Sequence, residues 1–146
     1  MFKHILVATD GSDASLHAAT LAVSLARVHG AQLTATYVVD PYPYMGVGEM
    51  NPIGFQSYMA AAQQMAAKAH AQVSDLCNAG GAVVPLQVRL VEDATAANGI
   101  IDTAASMGAD LIVMGSHGRT GLARLMLGSV ATKVVAQAPI PVLVTR

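Results

Sequence analysis

The chain alternates between short apolar runs and longer stretches whose apolar residues recur every three or four positions. Ile5-Leu6-Val7-Ala8 is the first run, continuous rather than alternating, as in parallel strands buried on both faces. It predicts a strand over Lys3 to Thr9. Asp10-Gly11-Ser12-Asp13 then turns the chain, with Ser12 or Asp13 placed to cap a helix. Ala18, Leu21, Ala22, Leu25 and Ala26 give that helix an inner face, and Gly30 ends it. Leu33 to Val39 predicts a second strand, closed by Asp40-Pro41. The segment Pro41 to Gly54, rich in proline and glycine, reads as a long loop of the kind that forms lids or contact surfaces. From about Ser57 to Ala79, Ala62, Met65, Ala66, Ala69, Val73, Leu76 and Cys77 share one face of a long helix stopped by Gly80-Gly81.

Val83 to Val91 predicts a third strand, in which Leu86, Val88 and Leu90 alternate with Gln87 and Arg89. Pro85 cannot donate to a ladder, which places this strand at a sheet edge. Thr95 to Met107 is a third helix with Ile100, Ile101 and Ala104 inward. Leu111 to Met114 is a fourth strand, Val130 to Ala136 a last helix, and Val142 to Val144 a final strand after Pro139-Ile140-Pro141. The order βαβαβαβαβ predicts an α/β fold, a three-layer sandwich around a parallel sheet. Ligands of such sheets bind beyond the carboxyl ends of the strands, where strand order reverses.

Composition narrows the class. With 146 residues the chain suffices for a single domain, 1–146, with a real core. It is 53% hydrophobic and only 12% charged, so it is globular, and another subunit is expected to cover part of its surface. A net charge of −1 and the lack of a basic run give no support to a nucleic-acid partner. Cys77, the only cysteine, excludes a disulfide framework and a thiolate zinc site, and suits a reducing cytosol. The first apolar stretch is too short for a signal sequence or a membrane span. The expectation is a soluble cytoplasmic protein with no membrane partner.

The chemistry concentrates between Gly115 and Ser129. A glycine-rich turn from a parallel strand into a helix leaves outward-pointing N–H groups, a place for phosphate. Glycine suits it through positive φ and through close approach of a ligand to the backbone. Gly115-x2-Gly118 and Gly128-Ser129 are expected to offer two sets of free N–H groups to one polyphosphate, with the Ser129 and Thr132 hydroxyls beside them. Asp10 is either a turn residue or a carboxylate for a ribose hydroxyl or a magnesium-bound water. Val38 is either core or a wall for an adenine ring. Arg119 and Arg124 are either solvated charges or donor forks for phosphate.

Other sites are excluded by spacing. No Gly-x-x-x-x-Gly-Lys-Ser/Thr exists, and Gly46-Val47-Gly48 lacks the third glycine of a dinucleotide fingerprint. Met114 stands where a nucleophile elbow around Ser116 needs glycine, and no third group is in evidence to orient His117 as a base. His4, His17, His29, His70 and His117 show no metal-ligand spacing, so no metal ligand is expected directly from the protein. A phospho-acceptor receiver would want an aspartate where the fourth strand ends in Gly115.

The pattern Gly-x2-Gly-x9-Gly-Ser, filled by Gly115, Gly118, Gly128 and Ser129, resembles the ATP-binding signature of the universal stress protein family. Ile5-Leu6-Val7-Ala8-Thr9-Asp10-Gly11-Ser12, Gly108 to Met114 and Pro141 to Val144 are similar to that family too. The resemblance implies a Rossmann-like five-stranded sheet in order 3-2-1-4-5 with four helices. It implies ATP in the crevice, with magnesium accompanying the nucleotide and Asp10 reaching metal, if at all, through water. Adenine would lie beside Val38 and the backbone of Ala8 and Met114, and phosphates on the glycine loop. The expected contact set is Ala8, Thr9, Asp10, Val38, Met114, Gly115, His117, Gly118, Arg119, Gly128, Ser129 and Val130. It further implies a homodimer through Val142 to Thr145, an edge unguarded by lysine or bulge. The function implied is an ATP-binding stress sensor or regulatory module with a protein partner of its own; the alternative is a slow ATPase or phosphotransferase at the same site.

Overall fold

The computed structural model of the chain describes residues 1–41, 52–118 and 126–146. The described elements run β1 His4–Ala8, α1 Asp13–His29, β2 Gln32–Val38, α2 Pro52–Asn78, β3 Leu86–Val91, α3 Ala96–Met107, β4 Leu111–Gly115, α4 Ser129–Gln137 and β5 Val142–Thr145. The five strands form one parallel sheet in the order β3-β2-β1-β4-β5, as the resemblance implies. β1 is its centre, paired with β2 on one side and β4 on the other, and its Ile5, Leu6 and Val7 are wholly buried. That is why its apolar run does not alternate.

Helices cover both faces. Ile5, Val7, Leu33 and Ala35 form one core with Ala18, Ala22, Ala26, Val73 and Cys77 of α1 and α2. Leu6, Ile112 and Met114 form the other with Ile100 and Ala104 of α3 and Ala131 and Val134 of α4. Local chemistry sets the ends: the Ser12 side chain accepts the Ser15 N–H at 3.3 Å to start α1. Gly30, at φ 64, closes α1 in the left-handed region. The Arg27 guanidinium then donates to the carbonyls of Leu76, Cys77, Ala79 and Ala82, fastening the end of α2 to α1.

Several elements depart from the sequence pattern. α2 starts at Pro52, not near Ser57, so Gly54 lies in a helix; proline suits a first helical turn because its φ is preset and no N–H is needed there. In α1, Leu21 is exposed while Ala19 and Val23 are buried, so the inner stripe is broader and smaller than predicted. β3 lies at the edge, as Pro85 indicates, and little covers it: Val88 and Leu90 stay exposed despite their alternation. Most of the predicted loop, residues 42–51, lies outside the described residues.

Candidate functional site

β1 hands the chain to α1 on one face, and neighbouring β4 leads to α4 on the other. The carboxyl ends of these two strands therefore part, and a cavity of about 440 Å³ opens there. Ala8, Thr9 and Asp10 enter it from the end of β1, Val38 from β2, and Met114 and Gly115 from β4. His117 and Gly118 follow, and Gly128, Ser129 and Val130 line it at the start of α4. The sequence-predicted set thus converges on one cavity, except Arg119, which with Arg124 lies outside the described residues.

The glycines work differently from expectation. None of Gly115, Gly118 and Gly128 has a positive φ. What requires them is space. A Cβ on Gly118 would meet Asp10 Oδ2 at 2.8 Å, one on Gly128 the Ser116 carbonyl oxygen at 2.7 Å, and one on Gly115 the Ala14 carbonyl oxygen at 3.2 Å. Nor is every amide free, because Gly128 N–H donates to the Ser116 carbonyl at 2.8 Å. Among the described residues, the first turn of α4 also supplies open donors. Gly128 is its N-cap, and no side chain caps it among the described residues. The Thr132 hydroxyl donates back to the Gly128 carbonyl at 2.9 Å, so of the two hydroxyls expected here it is Ser129 that lines the cavity. An uncapped helix start beside a cavity suits an anion.

Asp10 takes the first role weighed for it, in the turn, and keeps one carboxylate oxygen at the cavity. Its Oδ1 accepts the Ser12 N–H at 2.9 Å, a turn-forming bond, while Oδ2 faces Gly118. Ser116 Oγ and His117 Nδ1 lie 2.9 Å apart, and His117 Nε2 is buried with no hydrogen-bond partner among the described residues. Ser116 itself is held by its backbone: its N–H donates to the Thr145 carbonyl at 2.8 Å.

Sequence reasoning missed the far walls. Ser15 and Thr36 line the cavity, as do Tyr58 and Ala61 of α2 and Ala96 and Ile100 of α3. The Tyr58 hydroxyl donates to the Asp40 carbonyl at 2.6 Å, tying the α2 wall to the end of β2. Met65, predicted inward, is 45% exposed and lines the cavity, while Ala62, Ala66 and Ala69 beside it on α2 pack against Tyr37 and Val39. Helical spacing announced an inner face but could not say that part of it covers a void.

A doubly wound parallel sheet with its cavity at the switch point, rimmed by an uncapped helix start, defines an α/β domain built to take a ligand at that end. Comparison with known proteins gives the family. The sequence model described as "Universal stress protein family" matches residues 1–146. A universal stress protein of Thermus aquaticus, named for its place in a QAH/OAS sulfhydrylase 3′ region, is 38% identical over 147 residues, spanning 100% of both chains. The solved structure of universal stress protein UspA from Lactobacillus plantarum is 31% identical, with a TM-score of 0.80 over 99% of this chain and 97% of its own. A universal stress protein solved in complex with cAMP is 25% identical, with a TM-score of 0.70 over 99% of this chain and 97% of its own. The chain belongs to the universal stress protein family.

Proposed function

We propose that the protein binds an adenine nucleotide, ATP with magnesium, and serves as a cytoplasmic sensor or regulatory module of the stress response. The observation that carries this reading is the uncapped start of α4 at Gly128 and Ser129, opening onto the cavity opposite Asp10 and Gly118. The cavity divides by chemistry. Val38, Ile100, Met114 and Ala8 make an apolar end that suits a base, and Asp10, Gly118 and Ser129 make a polar end that suits ribose and phosphates. The cAMP complex of a family member supports an adenine ligand. The nucleotide is the signal, and a protein partner reads the surface it orders. β5 at the sheet edge, with Leu143 exposed, supports pairing with a second copy.

The test is thermal. Saturating Mg-ATP should raise the melting temperature, since a ligand bound only to the native state stabilises it by mass action. An unmoved transition in wild type rejects the reading. The second reading, slow ATP hydrolysis or phosphotransfer, is favoured by the Ser116–His117 pair and by a buried His117 Nε2 with no hydrogen-bond partner among the described residues. ATP recovered intact after long incubation with the protein argues against it.

A further inference from the structure

Gly99 stands inside α3, where alanine would make the better helix. Its φ is not left-handed and its N–H donates to the Thr95 carbonyl at 2.8 Å, an ordinary helical bond. Backbone conformation therefore does not require glycine here. Contact does. A Cβ at position 99 would lie 2.7 Å from Val38 Cγ2 and 3.1 Å from Val38 Cγ1, with a Val91 methyl at 3.3 Å. Both methyls of Val38 thus press against bare helix backbone, at the site where β2 and β3 pair Val38 with Val91. Val38 lines the apolar end of the cavity, and so do Ala96 and Ile100, the neighbours of Gly99 on α3.

We infer that Gly99 is a positioning residue that sets the width of the base slot by letting Val38 withdraw into α3. The inference rests on the adenine-nucleotide reading above. A methyl at 99 has two accommodations. Val38 shifts into the slot, or α3 backs away and takes Ala96 and Ile100 with it. Either one alters the ring slot directly, and reaches the phosphate end at the start of α4 only through the packing of α3 on α4.

The experiment measures dissociation constants for Mg-ATP and for inorganic triphosphate on the full chain, for wild type, Gly99→Ala, Val38→Ala and the double variant. Gly99→Ala is expected to weaken ATP by about tenfold and triphosphate by less than about twofold. Val38→Ala removes the obstructing methyls, so adding Gly99→Ala to it refills the space from the helix side. In that background the same methyl is expected to hold or improve ATP affinity. The comparison of Val38→Ala with the double variant is readable even if Gly99→Ala alone fails to fold. Equal losses for ATP and triphosphate, an unchanged ATP affinity in Gly99→Ala, or a further loss in the double variant each overturn the assignment. Wild type that ignores ATP overturns the nucleotide reading itself, and this inference with it.

Discussion

Asp10 and Gly118 touch across the mouth of the cavity: the carboxylate Oδ2 occupies the space into which any side chain at 118 would grow, 2.8 Å from an ideal Cβ. The same carboxylate is pinned from the other side by the Ser12 N–H, so it cannot simply swing away. Gly118→Ala is therefore expected to push Asp10 out of place and weaken Mg-ATP binding by about tenfold, with a small effect on the fold. Isothermal titration checks it, and an unaltered affinity would show that the contact has slack.

Gly128→Ala makes the opposite kind of change. Its Cβ meets a backbone oxygen, that of Ser116, which accepts the Gly128 N–H. Backbone gives way less than a side chain, so the loss is expected in stability as well, about 1–3 kcal/mol. Urea denaturation of the variant with no ligand present reads it directly.

Arg27 is the clasp between α1 and α2. Its replacement by alanine removes the guanidinium donor from the carbonyls of Leu76, Cys77, Ala79 and Ala82, of which Cys77 keeps the Val84 N–H. A cost of about 1–3 kcal/mol is expected. Lysine, without a planar fork, should recover only part of it. Comparing the two variants by chemical denaturation separates charge from geometry.

Acid should loosen the fold below neutrality. Burial pushes the His70 imidazole below its ordinary 6.5, against a raising hydrogen bond to the Arg89 carbonyl, and burial lowers His4 as well. A histidine whose folded-state pKa is depressed takes up its proton more readily when unfolded. Stability is therefore highest above about 6.5 and falls as pH drops below it. His70 packs edge-on against Tyr37, with centroids 6.4 Å apart, so a His70→Phe variant keeps the ring and loses the titration. The difference in denaturation midpoint between pH 8 and pH 5 should shrink in that variant; a difference as large as in wild type would refute the assignment.

Pairing through β5 predicts that Leu143→Lys lowers the oligomer. Its exposed side chain on the outer strand would place a charge where a second copy approaches. Sedimentation velocity of wild type and variant at matched concentration decides it, and identical profiles would move the contact elsewhere.

Much of this architecture was legible because one dimension carries it. The continuous run Ile5 to Ala8 announced a central strand, Pro85 an edge, and Gly30 and Gly108 the ends of helices. Gly115, Gly118, Gly128 and Ser129 marked the mouth by spacing alone. What stayed hidden depends on partners far away in sequence. Nothing local says that Gly118 makes room for Asp10, that Gly99 makes room for Val38, or that Tyr58 ties a wall to Asp40. Positive φ was expected at the glycine loop, but Gly115, Gly118 and Gly128 make room for neighbouring atoms instead, and such crowding exists only once the chain has folded.

Ser116 spends both of its main-chain groups on other elements: its N–H grips the end of β5 at Thr145, and its carbonyl grips the start of α4 at Gly128. A single residue thus yokes the outermost strand to the helix that rims the cavity. Whatever tugs at one rein is felt along the other, through two hydrogen bonds and no intervening side chain.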